Sequence, residues 1–156
     1  MSKMKWLSVC LLSGALLAGC GESTEETDSE GCEHLQQGPG VAVTASSTAS
    51  GAPAVSNDHK RYDIALPSSG TGSVSFAASE ATDYVFYLNA DVPLAITTGS
   101  GQSVAFEASA KSSTSCTDIR GRHVAPLSVG THTLTFGPGS GTVSLVIEES
   151  DHDHAH

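Results

Sequence analysis

The C-terminal stretch "EESDHDHAH" carries the residues best suited to chemistry. It places His152, His154 and His156 at alternate positions, with Asp151 and Asp153 between them. In an extended chain, residues two apart point to the same side, so three imidazoles can face one ion together. Neutral imidazole binds zinc, copper and nickel, and histidine-rich tracts are a compositional sign of such sites. The tail therefore predicts a site for a divalent transition metal such as zinc or copper.

So short a tail needs a further ligand for tight binding, because chain entropy opposes the ordering of a free terminus. Glu148 or Glu149 can supply a carboxylate from the residues just before the tail. His34, in the stretch "CEH", is a second candidate ligand, together with Glu33 or with the tail itself. Two alternatives stay open: the tail is a solvated acidic terminus without a ligand, and "CEH" is a loop pinned by a disulfide at Cys32.

The remaining histidines predict no ligand set. His132 is in phase with Leu134 and Phe136, so we expect it to be packed and hydrogen-bonded on the inward side of a strand. His59 and His123 stand in polar segments and are expected at the surface. A G-x-S-x-G elbow, an H-E-x-x-H motif and a glycine-rich phosphate loop are all missing from the sequence. These patterns favour a binding protein over an enzyme.

The first twenty residues predict export and lipid anchoring. Two lysines precede an apolar run that is too short to cross a bilayer, which takes roughly 20 apolar residues, and small residues follow it. The stretch "LLAGC", residues 16–20, resembles the lipobox of bacterial lipoproteins. That resemblance implies cleavage after residue 19 and acylation of Cys20 with chains such as palmitate, which hold the protein in the lipid bilayer of the cell envelope. Gly21, where an aspartate would favour the inner membrane, implies the outer membrane.

Charge and cysteine content narrow the function further. Beyond residue 19 the chain has seventeen acidic and five basic residues, a formal charge of −12. Such an acidic surface excludes nucleic acid as a partner, because it repels phosphate groups. It also repels anionic headgroups, so the lipid on Cys20 must attach the protein to the membrane. Cys10 is lost with the signal and Cys20 is acylated, so Cys32 and Cys116 remain as a pair. In an exported chain the pair predicts one disulfide; the alternative is that Cys32 is a thiolate metal ligand.

Hydrophobic periodicity predicts the fold. Residues 21–31, "GESTEETDSEG", have five carboxylates and no large apolar residue, so we expect a disordered acidic tether. From about Val41 short runs alternate apolar and polar residues between Gly, Ser, Pro and Asn, as in "RYDIALP", "DYVFYLN" and "TVSLVI". This alternation predicts an all-β fold: a single antiparallel β-sandwich of about eight strands. We expect "GPGSG", residues 137–141, to join the last two strands as a hairpin.

The order "GSVSFAASEATDYVFYLNADVPLAITT" then "LSVGTHTLTFGPGSGTVSLVIEE" is similar to the β-sandwich modules of the pre-peptidase C-terminal type. The resemblance covers roughly residues 60–149 and implies an accessory module without catalysis. The predicted organisation is a signal peptide at 1–19, a lipid anchor and acidic linker at 20–31, a β-sandwich at 32–149 and a His/Asp-rich tail at 150–156. The predicted function is a non-enzymatic envelope module that captures a transition metal. The alternative is a module that binds another protein or a glycan.

Overall fold

The computed structural model describes residues 24–150. The predicted signal peptide, Cys20 and the tail residues Asp151, His152, Asp153, His154 and His156 lie outside the described residues. One helix, α1 (Thr24–Gln37), precedes eleven strands. The strands are β1 Gly40–Thr44, β2 Ala54–Val55, β3 Arg61–Ala65, β4 Gly72–Ala78, β5 Thr82–Leu88, β6 Leu94–Thr98, β7 Ser103–Val104, β8 Ala108–Ala110, β9 Gly121–Leu127, β10 Gly130–Phe136 and β11 Thr142–Glu149. No helix in this part of the chain is long and apolar enough to cross a membrane.

The strands form two sheets. Six strands pair in the order β1-β3-β11-β5-β9-β8, and five pair in the order β2-β4-β10-β6-β7. The pairs β1–β3 and β2–β4 are parallel, and all other pairs in the described residues are antiparallel. The expectation of a purely antiparallel arrangement is therefore wrong. The parallel pairs involve the early strands β1 and β2. Between β1 and β3, and between β2 and β4, the chain returns to the end of the sheet at which the first strand of the pair began.

One large core lies between the inward faces of the two sheets. Its side chains come from strands of both sheets, and Phe76 of β4 packs edge-on against Tyr84 and Phe86 of β5 at centroid distances of 5.1 and 6.2 Å. A second, smaller cluster lies on the outer face of the six-stranded sheet, where α1 covers it. Strands β5 and β11 are therefore buried on both faces. The sequence pattern predicted only one buried face for each.

Three further expectations differ from the structure. The tether predicted for residues 20–31 is helical from Thr24 onward, because α1 has a face that the sheet buries. Eleven strands are present in the described residues instead of about eight, and three of them, β2, β7 and β8, have only two or three residues. Residues 137–141 do not form a hairpin, because β10 and β11 belong to different sheets and the segment crosses between them.

Local sequence explains the limits of α1. Glu25 and Glu26 lie in its first turn and His34 in its last, where each charge type suits the helix dipole. Gly38 closes the last turn by donating to the His34 carbonyl at 3.0 Å, and Pro39 prevents continuation. Gly31 lets the helix approach the sheet, since an added Cβ would lie 2.4 Å from the Tyr87 ring. No other residue fits there without displacing the helix.

Candidate metal centre

Four side chains meet where α1 crosses the end of β11. They are Glu30 and His34 from α1, His59 from the loop before β3, and Glu148 from β11. One potential ligand atom from each lies within 4.8 Å of the others. We call these four residues the Glu148 cluster. It joins three segments that are far apart in the sequence.

Glu148 is the buried centre of the cluster. Its side chain is 1 % exposed, and Oε1 lies 2.6 Å from His34 Nδ1. Its other oxygen, Oε2, lies 3.5 Å from His59 Nδ1 but forms no hydrogen bond with the described residues. Burial raises the pKa of the Glu148 carboxyl above its ordinary value, an effect that the hydrogen bond with His34 opposes only in part and that nearby Glu30 adds to. A buried carboxylate with an oxygen that lacks a hydrogen bond is unfavourable unless a cation compensates it.

Helix α1 presents Glu30 and His34 from the same side, because residues four apart in a helix are neighbours. Cys32 stands between them and forms the disulfide with Cys116, with the two Cα atoms 5.8 Å apart. The predicted pairing is confirmed. The disulfide fixes the same helical turn that carries the two cluster residues.

Buried Asp28 holds the first half of α1 on the sheet. Its carboxylate accepts hydrogen bonds from Tyr87 Oη at 2.9 Å, Ser113 Oγ at 2.6 Å and Arg122 Nε at 2.6 Å. Arg61 Nη1 donates to the Leu35 carbonyl at 3.1 Å and holds the second half. The two helical residues of the Glu148 cluster, Glu30 and His34, therefore sit on a fixed support.

The loop between β2 and β3 fixes His59. This residue has a positive φ of 57°. Its ring lies 5.0 Å from the His34 ring, and its Nδ1 is 3.8 Å from Glu30 Oε1. The neighbouring Asp58 accepts hydrogen bonds from Lys60 and from Tyr62 Oη. Partial burial acts to raise the Asp58 pKa, but these donors outweigh it and lower the pKa to about 2.

The donor set suits a transition metal. Two imidazole nitrogens and two carboxylates are ligands that zinc accepts, whereas calcium and magnesium take oxygen ligands. Zinc binds these groups at about 2.0–2.2 Å in a tetrahedron, which separates neighbouring ligand atoms by about 3.4 Å. The spacing of 3.5 Å between His59 Nδ1 and Glu148 Oε2 is close to that value. The remaining ligand atoms lie within 4.8 Å of one another, and His34 Nδ1 and Glu148 Oε1, 2.6 Å apart, would have to separate for both to bind one ion.

The sequence identified half of this cluster. His34 and Glu148 were named as ligand candidates and belong to it, whereas Glu33 does not. Cys32 is in a disulfide, so the alternative that it is a thiolate ligand is wrong. His59 was expected at the surface, and its side chain is 49 % exposed, but it also belongs to the cluster, which its polar segment did not predict. Glu30 was assigned to the tether, and only its spacing of four from His34 hinted at a shared role.

The other two histidines lie elsewhere. His132 is buried, as expected, with Nδ1 3.0 Å from the Gly130 carbonyl oxygen and Nε2 without a hydrogen bond to the described residues. His123 is half-buried rather than at the surface, and its ring lies 4.9 Å from that of Phe106. Neither belongs to the Glu148 cluster.

No protein-family model and no curated protein matches this sequence.

Proposed function

We propose that this protein is a non-enzymatic envelope lipoprotein that captures a divalent transition metal, zinc or copper, at the Glu148 cluster. The observation that carries the proposal is the buried Glu148 carboxylate. One of its oxygens lacks a hydrogen bond to the described residues, and two imidazoles and a second carboxylate surround it. A bound divalent cation would pair that oxygen and offset the repulsion between Glu30 and Glu148.

The C-terminal histidines extend the same site in this proposal. His152 follows Glu148 by four residues, a contour of about 14 Å at most. The tail imidazoles can therefore reach a metal held by Glu148 and act as an outer set of ligands. Exposed His59 and half-buried Glu30 leave the ion accessible from solvent, because their side chains are 49 % and 34 % exposed. An accessible site suits capture and transfer of an ion better than a permanent structural role.

The surrounding architecture in the proposal is a β-sandwich on a lipid anchor. Two sheets that share one core support the sandwich, and the lipobox-like residues 16–20 support acylation of Cys20. The anchor would place the site at the surface of the lipid bilayer, in the outer membrane. The alternative is a module that binds a protein or a glycan, and it would need an exposed apolar surface. Within residues 24–150 a single large hydrophobic side chain, Val129, is exposed, at 64 %.

The experiment is a competition between the protein and a metal chelator. The full chain, purified in detergent without a tag and stripped of metal, is titrated with zinc and with copper. Glu148→Gln and His59→Ala test the cluster, and the triple change of His152, His154 and His156 to Ala tests the tail. Glu33→Gln is the matched control, because it removes the same charge from an exposed position on α1 outside the cluster.

We expect tight binding of one ion, a loss of at least about a hundredfold in affinity for either cluster variant, and little change for Glu33→Gln. A loss confined to the tail variant would overturn the Glu148 cluster as the centre. Binding that no variant changes, or no saturable binding at all, would overturn the metal function.

A further inference from the structure

A cleft opens at the end of the molecule where β5, β8 and β9 meet. It has a volume of about 310 Å³, within the range of sites for small molecules, about 300–1,000 Å³. Three chain segments line it: the turn after β5, the end of β8 and the start of β9. Its lining includes Asp91, Val92, Ala110, Lys111, Arg120 and His123.

The cleft and the Glu148 cluster lie on opposite faces of the six-stranded sheet. His123 pairs in register with Phe86, whose side chain belongs to the core between the sheets. Glu148 pairs with Val85, whose side chain belongs to the outer cluster beneath α1. Because side chains alternate along a strand, the two sites face away from each other. A ligand bound in the cleft would therefore not compete with an ion at the Glu148 cluster.

The cleft concentrates cations in a chain of strongly negative charge. Arg120 and Lys111 are two of the five basic residues beyond residue 19, and both line the cleft. Lys111 Nζ pairs with Asp91 at 2.9 Å across the rim. The Arg120 guanidinium is exposed and makes no hydrogen bond or ion pair with any described residue. One unpaired guanidinium suits a single carboxylate, which it can bind through two parallel hydrogen bonds.

The rest of the lining is mainly apolar. Val92, Pro93 and Ala110 provide hydrocarbon surface. His123 closes one side, with its Nδ1 2.9 Å from Ser109 Oγ and its ring against Phe106. Burial lowers the pKa of His123, so its imidazole is neutral at pH 7 and adds no second charge. The wall therefore matches a compact hydrocarbon body behind one anionic group.

We propose that this cleft binds a small organic carboxylate with a short apolar body. The carboxylate pairs with Arg120 and is attracted by Lys111, and the apolar part lies against Val92, Pro93 and Ala110. Asp91 limits affinity, because it both neutralises Lys111 and repels the anion. Asp91 therefore lowers the affinity for the carboxylate, whereas Arg120 raises it.

The test uses 4-methylpentanoate as the probe and its primary amide as the uncharged analogue. Each is titrated into the metal-free full chain in detergent, with the backbone amide resonances of Ala110 and Gly121 followed by NMR. The variants are Arg120→Gln, Asp91→Asn and, as a control for loss of a cation elsewhere, Lys60→Gln. Thermal unfolding midpoints confirm that each variant is folded.

We expect saturable shifts with the carboxylate and much weaker shifts with the amide. Arg120→Gln should weaken binding about tenfold or more, the loss expected for a charge-assisted hydrogen bond. Asp91→Asn should tighten binding by about threefold, and Lys60→Gln should leave it unchanged. Equal binding of acid and amide, unchanged affinity in Arg120→Gln, or no saturable shift would overturn the proposal. None of these results depends on metal, so they leave the proposed metal function untouched.

Discussion

Glu148 is a charged residue in a position that usually holds an apolar one. It follows Val146 on the face of β11 that α1 covers, and its side chain is 1 % exposed. An apolar residue there would pack against the helix without an unpaired oxygen. The carboxylate therefore lowers the stability of the metal-free fold, which is a common property of binding sites.

Glu148→Gln should separate metal binding from folding. The amide removes the buried charge, so the metal-free variant should unfold at the same temperature as the parent or a higher one. The parent alone should gain stability with zinc, by about 2.7 kcal/mol when free zinc is a hundred times the dissociation constant. Calorimetric unfolding with and without zinc measures both effects. Equal stabilisation of the two proteins by zinc would contradict the assignment.

At the scale of elements, polar contacts add to the small apolar cluster and the disulfide in holding α1 on the outer face of the sheet. Leu35 is the one large apolar side chain that the described helix buries, whereas Asp28 has three side-chain donors. The composition of residues 21–31 predicted a tether, because this segment has few apolar residues. Composition carries no information about Arg122, which is far along the chain and neutralises Asp28. The same limitation hid His59, whose cluster partners are also distant in sequence.

Asp28→Ala should weaken the fold strongly. It would leave the Arg122 guanidinium, only 13 % exposed, without its carboxylate, a loss that typically costs about 3–5 kcal/mol. Gln36→Ala on the same helix removes an exposed hydrogen bond to Asp118 and should cost less than about 1 kcal/mol. Urea unfolding of the two variants measures the difference. Similar values would mean that the Asp28 contacts do not hold the helix.

Asp63 ties β3 to β11 and should make stability depend on pH. Its carboxylate accepts hydrogen bonds from Arg61 and from Ser144 Oγ. Partial burial acts to raise its pKa, but these donors outweigh it, so the pKa lies below the ordinary value.

The stabilisation from Asp63 is therefore full above its unfolded-state pKa of about 3.9 and is lost as pH falls through the lower folded-state value. Asp63→Asn should lower the free energy of unfolding by about 1–2 kcal/mol at pH 7. The gap between variant and parent should shrink below pH 4. Urea unfolding at several pH values measures it, and a gap that stays constant with pH would exclude this origin.

Strand prediction shows the same division between local and distant information. The alternating runs located β3, β5 and β11, because each has one face in the large core. The alternation did not predict β9, "GRHVAPL", which contains a glycine and a proline. Pro126 is tolerated because β8 pairs with β9 only as far as Val124, so the missing N–H lies beyond the neighbouring strand. The sequence alone does not show that β8 ends before it reaches Pro126; the assembled sheet does.

For the molecule as a whole, the disulfide is a long-range covalent link. Cys32 and Cys116 are 84 residues apart and connect α1 to the segment before β9. Changing both to Ser should lower the free energy of unfolding by about 4–5 kcal/mol, from the entropy of closing a loop of that length in the unfolded chain. Chemical denaturation of the double variant beside the oxidised parent tests this. A loss below about 1 kcal/mol would show that the noncovalent contacts of α1 suffice.

The start of α1 at Thr24 limits how far the folded domain can stand from a membrane. If Cys20 carries the proposed lipid, only four residue steps separate the acylated residue from the helix, a leash of about 14 Å when fully extended. The domain would be confined to a thin layer next to the headgroups and could not sweep the wider envelope space. A partner that exchanges metal with it would have to come to the membrane surface.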